Sequence, residues 1–359
     1  MRLVSGCRFQ LVSQSPSDKN SQDNLEVQMP KVMITPEALR ESNGPEVDVL
    51  QAAGFEVSYP QDHLFARGNG GESQTVAELA GFDAVIASGE PYTEAVLQQL
   101  PKLKVIARCG VGYDRVEVPA ATRHRVPLTI TPNANHEAVA ELTISLLMAA
   151  TKFTILNDRA VRNGEWPRRL PRPLRGSTFG LLGLGRIGRS TAVRAKAFKM
   201  RLVAHERYPD MDFVNRHEIE LVDLDTLLAQ SDFLSIHCPL NDETKGMFCA
   251  ELFNKMKAGA VFLNTARGKL VNEADLINAL QSGQLSAAGL DVFEPEPPSI
   301  ENPLLKMDNV VFSPHVGGTD QLSMVAMGVE AAECIVGLHQ GNWPEGAVVN
   351  DEIREGWSW

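Results

Sequence analysis

Phe179–Ser190 reads FGLLGLGRIGRS, and the reading of this stretch decides the fold. Thr178–Leu182 has strand character and runs directly into Gly183-Leu184-Gly185-Arg186-Ile187-Gly188. A helical pattern follows, with Ala192, Ala195, Ala197 and Phe198 as its apolar members. Strand, G-x-G-x-x-G and helix in this order build a phosphate-binding turn. Gly183 permits the tight turn, Gly185 lets the backbone approach a pyrophosphate, and Gly188 lets the helix pack closely on the strand. The free N–H groups and positive dipole end of the helix supply the attraction for phosphate. A second strand, Arg201–His205, ends in Glu206, 18 residues after Gly188. An acidic side chain there hydrogen-bonds the ribose hydroxyls of NAD. A dinucleotide site is the expectation; an S-adenosylmethionine site or an empty turn of the same shape are the alternatives.

Outward from this turn the chain alternates strand and helix. Ahead of it, strands are expected at Lys31–Thr35, Phe55–Tyr59, Asp83–Ala87 and Lys104–Ala107, with helices around Glu46–Ala53 and Glu94–Leu100. Asn135–Asn157 reads as one long helix, apolar nearly all round, and hence buried between domains. Asn163–Arg175, with three prolines, four arginines and Trp166, reads as an irregular arm, a surface excursion or subunit contact. Beyond the glycine turn, strands are expected at Phe233–Ile236, Ala260–Asn264, Ala287–Asp291 and Val310–Ser313. A last helix, Gln321–Gln340, can return to the first domain, and the tail's two tryptophans are expected to pack on the body or a neighbour. The fold class is therefore α/β, two Rossmann-like doubly wound parallel-sheet domains with a cleft between them. Residues 1–28, rich in Ser, Gln, Asn and Asp toward Gln28, form a disordered extension. Residues 29–134 plus 320–359 form a discontinuous substrate domain, and 135–319 the NAD-binding domain.

Bulk properties narrow the function. The 359 residues suffice for two cores, and a net charge of −11 argues against nucleic acid and anionic membranes as partners. No apolar run approaches the ~18 residues of a transmembrane span, and no secretory leader is evident. Five scattered cysteines suit a reducing, cytoplasmic setting and form neither a disulfide framework nor a metal site.

In doubly wound sheets ligands meet the carboxyl ends of the strands. Three residues stand out there: Arg267 in NTARG, Glu296 in DVFEPEP and His315 in SPHVGG. Each alone is unremarkable as a surface Arg, a solvated Glu or a turn His. Together they meet the needs of 2-oxo acid reduction. Arg267 can clamp a carboxylate bidentately, His315 can give or take a proton near neutrality, and Glu296 can orient the imidazole.

The sequence resembles the NAD-dependent D-isomer-specific 2-hydroxyacid dehydrogenases, phosphoglycerate dehydrogenase in style, over about Lys31–Asn350. The resemblance rests on VIARCGVGYDRVEV (105–118), VAEL (139–142), GLLGLGRIGR (180–189), HCPLNDETKG (237–246), NTARGKLVNEADL (264–276), GLDVFEPEP (289–297) and SPHVGG (313–318). It implies catalytic roles for Arg267, Glu296 and His315. It implies cofactor contacts at Gly183, Gly185, Arg186, Ile187, Gly188, Glu206, Cys238, Pro239, Thr265, Ala266, Arg267, Asp291, His315 and Gly317. It further implies substrate contacts at Gly110, Val111, Gly112 and Arg267, and a homodimer built on the nucleotide domains. Ile86-Ala87-Ser88 departs from the Val-Arg-Ser of many phosphoglycerate-type members, which weakens the case for a phosphorylated substrate. The chain ends soon after Gln340, so no C-terminal regulatory domain is expected. Arg207, beside Glu206, leaves NADP open against NAD. The alternative role is that of an NAD-binding, peptide-docking corepressor, which resembles the same family.

Overall fold

A computed structural model describes residues 29–40, 43–62, 65 and 70–359. The expected disorder of 1–28 lies outside the described residues. Two parallel sheets carry the fold. The first holds β1 (Lys31–Ile34), β2 (Glu56–Ser58), β3 (Ala84–Ala87), β4 (Val105–Arg108) and β5 (Leu128–Thr129), in the order β2-β1-β3-β4-β5. The second holds β6 (Thr178–Leu182), β7 (Arg201–His205), β8 (Glu220–Leu221), β9 (Phe233–Ile236), β10 (Ala260–Asn264), β11 (Leu285–Leu290) and β12 (Val310–Phe312). Its order is β12-β11-β10-β9-β6-β7-β8, so the chain reverses direction across the sheet between β6 and β9. Every strand pair is parallel. Parallel sheets need both faces covered, which is why AVIA of β3 and AVFLN of β10 are buried at every position.

Two edge strands, β5 and β8, were not expected. Each has two residues, too few for a period to register in the sequence. The long helix also differs from its reading. It is two helices, His136–Lys152 and Thr154–Arg162, bent by 57°. Phe153 between them adopts a left-handed conformation (φ 56°). A single left-handed residue ends one helix without erasing the run of apolar residues, so composition carried the pattern across the break. The first of the pair buries Ile144, Leu146, Leu147 and Ala150 against the second sheet. Gly289 of β11 lies so close beneath that a Cβ on it would sit 2.9 Å from the Leu146 Cβ.

The helix after the glycine turn, Arg186–Ala197, buries Ser190, Thr191, Ala192 and Ala195. Ala197 and Phe198, expected in its apolar set, are exposed. The last helix, Gln321–His339, is long and apolar enough to cross a membrane, although Glu330 and Glu333 interrupt it. Here it is a core helix of the first sheet, burying Met324, Met327, Ala331, Ile335 and Leu338 against Val32, Ile34, Val105 and Ala107. The C-terminal segment follows it back. Buried Asn350 accepts from Leu128 N (2.9 Å) and donates to Val126 O (3.0 Å), and Trp359 meets Phe55 edge-on.

The arm 163–175 is irregular, with Trp166 75% and Leu170 94% exposed. It is anchored by Arg172, which donates to Gly259 O (2.8 Å) and to Asp232 Oδ1 (2.6 Å) and lies over the Phe233 ring. Asp232 also accepts from Lys257 Nζ (2.6 Å) and Thr178 N (2.8 Å). Burial pushes the Asp232 carboxyl up, but Lys257, the Thr178 amide and Arg172 outweigh it and hold it below the usual range. A depressed folded value means the carboxylate stabilises the fold above the ordinary carboxylate range and loses that contribution as pH falls through its own range. Asp232→Asn is expected to cost about 1–3 kcal/mol near neutral pH. Denaturant melts of both proteins down a pH series should show the gap closing in acid.

Candidate active site

The glycine turn has the geometry its spacing requires. Gly183 sits at φ 98°, where a Cβ would be 2.9 Å from the His237 carbonyl carbon. A Cβ on Gly188 would lie 2.2 Å from Gly183 O, so helix and strand meet backbone to backbone. Nothing lies within 4 Å of where a Gly185 Cβ would be, and Gly185 is the N-cap of the helix, with no side chain capping its first turn. The unpaired N–H groups of that turn are free for an anion. Arg186, Ile187 and Gly188 line a cavity of about 140 Å³ with Val111, Pro132, Asn135, His136 and His237. Desolvation holds the His237 imidazole at about 4, so it lines this cavity as a neutral ring.

Glu206 ends β7 beside the turn. Its Oε2 accepts from Leu184 N (2.6 Å) and its Oε1 from Tyr208 N (3.0 Å). Burial raises its carboxyl, but the amides of Tyr208, Leu184 and Arg207 outweigh this and keep it ionised. Arg207 turns away and donates to Glu243 Oε2 (2.8 Å). The cation that left NADP open is thus already paired.

The remaining strand ends converge on the same side. Cys238 and Pro239 follow β9, and burial pushes the Cys238 thiol up to about 11, which removes it as a nucleophile. After β10, Asn264 folds the turn: it donates to Arg267 O (2.9 Å) and accepts from Ala266 N (3.0 Å). The Thr265 hydroxyl shares a hydrogen bond with that of Thr143 (3.0 Å). After β11, buried Asp291 accepts from Ser313 Oγ (2.6 Å), Val316 N (3.0 Å) and Gly317 N (2.9 Å), and its carbonyl accepts from His315 N (2.8 Å). In this structure Asp291 and Gly317 engage each other and shape the His315 loop.

That loop holds His315 at φ 54°, a strained position for a side chain. Its Nδ1 lies 2.7 Å from Glu296 Oε2, while Glu296 Oε1 accepts from Phe293 N (2.8 Å). Burial raises the Glu296 carboxyl, but the His315 hydrogen bond and charge, the Phe293 amide and the Arg267 charge together hold it below the usual range. An ionised carboxylate only accepts, so Nδ1 is the donor and Nε2 is left for a reacting group.

Arg267 completes the constellation from β10. Its Nε donates to Asp114 Oδ2 (2.7 Å) and its Nη1 to Ala266 O (2.6 Å). Its Nη2 presses on Gly112, where a Cβ would lie only 1.9 Å away. The loop after β4 thereby meets the loop after β10. Gly110 N–H is used within the first lobe, by Thr131 Oγ1 (2.8 Å) and Arg108 O (3.0 Å), and Arg108 Nε holds Gly112 O (3.0 Å). Sequence reading missed Asp114, Arg108, Thr131 and Asn264. Each lies in or near a quoted motif, but its role depends on which distant loop it faces.

Residues 144–317 match the family model described as D-isomer specific 2-hydroxyacid dehydrogenase, NAD binding domain. The glyoxylate reductase of Korarchaeum cryptofilum is 38% identical over 270 residues, covering 74% of this chain and 81% of that protein. The D-3-phosphoglycerate dehydrogenase of Archaeoglobus fulgidus is also 38% identical, over 75% of this chain but 51% of its own length. The chain thus spans about half of that relative. Among solved structures, a glyoxylate reductase from Paecilomyes thermophila superposes with a TM-score of 0.78 at 27% identity, covering 90% of this chain and 99% of that one.

The Gly112 contact generates a test. A Cβ there displaces only the far end of a flexible side chain, so Gly112→Ala is expected to fold, with its melting temperature near that of the wild type. The displaced guanidinium leaves its site, and a shift of about 1 Å can cost roughly a hundredfold. Steady-state kinetics beside a thermal melt separates the two effects.

Proposed function

The chain belongs to the D-isomer-specific 2-hydroxyacid dehydrogenases, NAD-dependent oxidoreductases, and we propose that it reduces small 2-oxo acids with uncharged side chains, of the glyoxylate and hydroxypyruvate kind. The observation that carries this reading is the His315–Glu296 pair at 2.7 Å, with Arg267 close enough for its charge to act on Glu296. The residues around the glycine turn fit NAD: Gly183 and Gly188 make a cradle that a Cβ would fill, Gly185 opens on the cavity, and Glu206 is ionised beside the turn, on the Leu184 amide.

Bound NADH supplies the hydride. The chain's own residues do the rest. The terminal Nη1–Nη2 edge of Arg267 binds the substrate carboxylate, because its Nε is engaged by Asp114 while Nη1, with one hydrogen on Ala266 O, keeps a second beside those of Nη2. His315, protonated, gives the Nε2 proton to the carbonyl oxygen as it gains charge, and takes it back in the oxidation of the hydroxy acid. Glu296 holds the ring by Nδ1 and so leaves Nε2 for the reacting oxygen.

The side-chain preference rests on the end of β3 and the loop after it. Ala87, fully buried, stands where many phosphoglycerate-type members resemble one another in carrying Arg. Beside it the buried Glu90 carboxylate accepts from Thr35 Oγ1 (2.8 Å), Tyr92 OH (2.7 Å) and Ser88 N (3.1 Å). The corepressor-like alternative finds no support in relatives named as dehydrogenases and reductases. We further propose a cytoplasmic homodimer. The described cysteines are free thiols, and the exposed Trp166 and Leu170 offer the arm an apolar contact with a second subunit.

A screen of glyoxylate, hydroxypyruvate, pyruvate and 3-phosphohydroxypyruvate tests the reading, with glyoxylate or hydroxypyruvate expected to lead by kcat/KM. His315→Asn is expected to cost about 10²–10⁴-fold while NADH fluorescence titrations change little. Turnover of the variant within threefold of wild type would sink the assignment.

NADH is expected to be preferred over NADPH, because Glu206 repels a 2′-phosphate and Arg207 is ion-paired with Glu243. Glu206→Ala should narrow the ratio of the two kcat/KM values, and adding Glu243→Gln, which frees Arg207, should narrow it further. An unchanged ratio in the double variant would count against this account.

A further inference from the structure

We propose that Asp114 is a positioning residue for Arg267, fixing which edge of the guanidinium the substrate carboxylate meets. The inference rests on the 2-oxo acid reading and adds a residue to it. Arg267 has three nitrogens to place. Nη1 is tied to the backbone of its own turn through Ala266 O, which limits translation but leaves the plane free to rock. Nη2 is stopped on one side by the bare Cα of Gly112. The bond that sets the plane is Nε to Asp114 Oδ2 at 2.7 Å, a charge-assisted contact from a loop 153 residues away.

The chemistry of the pair explains why a carboxylate can sit beside a carboxylate-binding site. A guanidinium offers a side edge through Nε and a terminal edge through Nη1 and Nη2. Asp114 takes the Nε–H of the side edge, and Nη1, with one hydrogen on Ala266 O, keeps a second beside those of Nη2 for the terminal edge, so substrate and protein anions bind the same cation without displacing each other. The energetics agree with a geometric role. The two side chains are 27% and 41% exposed, and a solvent-screened pair of this kind contributes little to stability. Its value lies in orientation. Because Asp114 follows β4 and Arg267 follows β10, the guanidinium is aimed only when the two lobes hold their loops in register.

Asp114→Ala and Asp114→Asn test this, measured with NADH and a 2-oxo acid and, separately, by binding of oxamate to the NADH complex. Asp114→Ala is expected to lose about thirtyfold or more in kcat/KM, with a fall in kcat as well as a rise in KM, and to bind oxamate at least tenfold more weakly. NADH affinity should stay within twofold. Asp114→Asn keeps an oxygen acceptor for Nε and should recover most of the loss, which a merely structural defect would not. If Asp114→Ala stays within threefold of wild type, or lowers KM with kcat intact, Asp114 is either idle or a plug that substrate displaces, and the proposal falls. If the wild type reduces no 2-oxo acid yet its oxamate affinity drops in Asp114→Ala and returns in Asp114→Asn, the reaction fails and the positioning role stands. A wild type that neither turns over nor binds oxamate overturns both.

Discussion

The absence of a side chain at Gly188 governs the nucleotide half of this protein. The Gly183 carbonyl oxygen occupies the space where a Cβ would stand, 2.2 Å away in the hypothetical residue. Only that approach lets the chain leave β6, turn at Gly183 and start a helix at once, with its unpaired amides facing the opening. The Leu184 amide is turned toward β7, where the Glu206 carboxylate accepts it. One steric allowance therefore sets the helix axis, the cavity mouth and the placement of the acidic residue. The strained φ of Gly183 belongs to the same geometry, because nearly every L-residue pays to adopt it.

At the other strand ends buried polar groups do the shaping. Asn264 clamps the turn carrying Arg267, and Asp291 gathers the amides of Val316 and Gly317 and the hydroxyl of Ser313. Buried polar atoms are costly unless paired, so each must find its donors where the loop can deliver them. The loops are thereby driven to single conformations. His315 is held in the left-handed region by this arrangement, a cost of about 1–3 kcal/mol that Asp291 and the Glu296 bond offset.

Electrostatics work against the bulk charge. The chain carries a net −11, yet its candidate ligands are anions. Local geometry resolves this: Arg267 and the helix amides present positive groups, while the acids nearest them are already engaged. Glu296 is committed to His315 and Phe293, Asp114 to Arg267, and Glu206 to two backbone amides. The same pairing bears on cofactor preference, since Arg207, next to Glu206, is ion-paired with Glu243.

By itself the sequence determined what depends on nearest neighbours along the chain. Apolar runs marked the longer parallel strands, glycine spacing marked the nucleotide turn, and polar residues just after strands marked Arg267, Glu296 and His315. These signals are local because strand burial and tight turns are satisfied within a few residues. Tertiary structure alone decided the rest. The edge strands β5 and β8 exist because a neighbouring strand offers hydrogen bonds, not because two residues form a pattern. Phe153 breaks a run that composition read as continuous, and Ala197 and Phe198, the last residue and C-cap of their helix, lie off the face that buries Thr191, Ala192 and Ala195 and stand in solvent. Above all, nothing in GVGYD announces that Asp114 will hold an arginine 153 positions later. That contact is made by folding two lobes together, and its energy belongs to neither segment until both are in place.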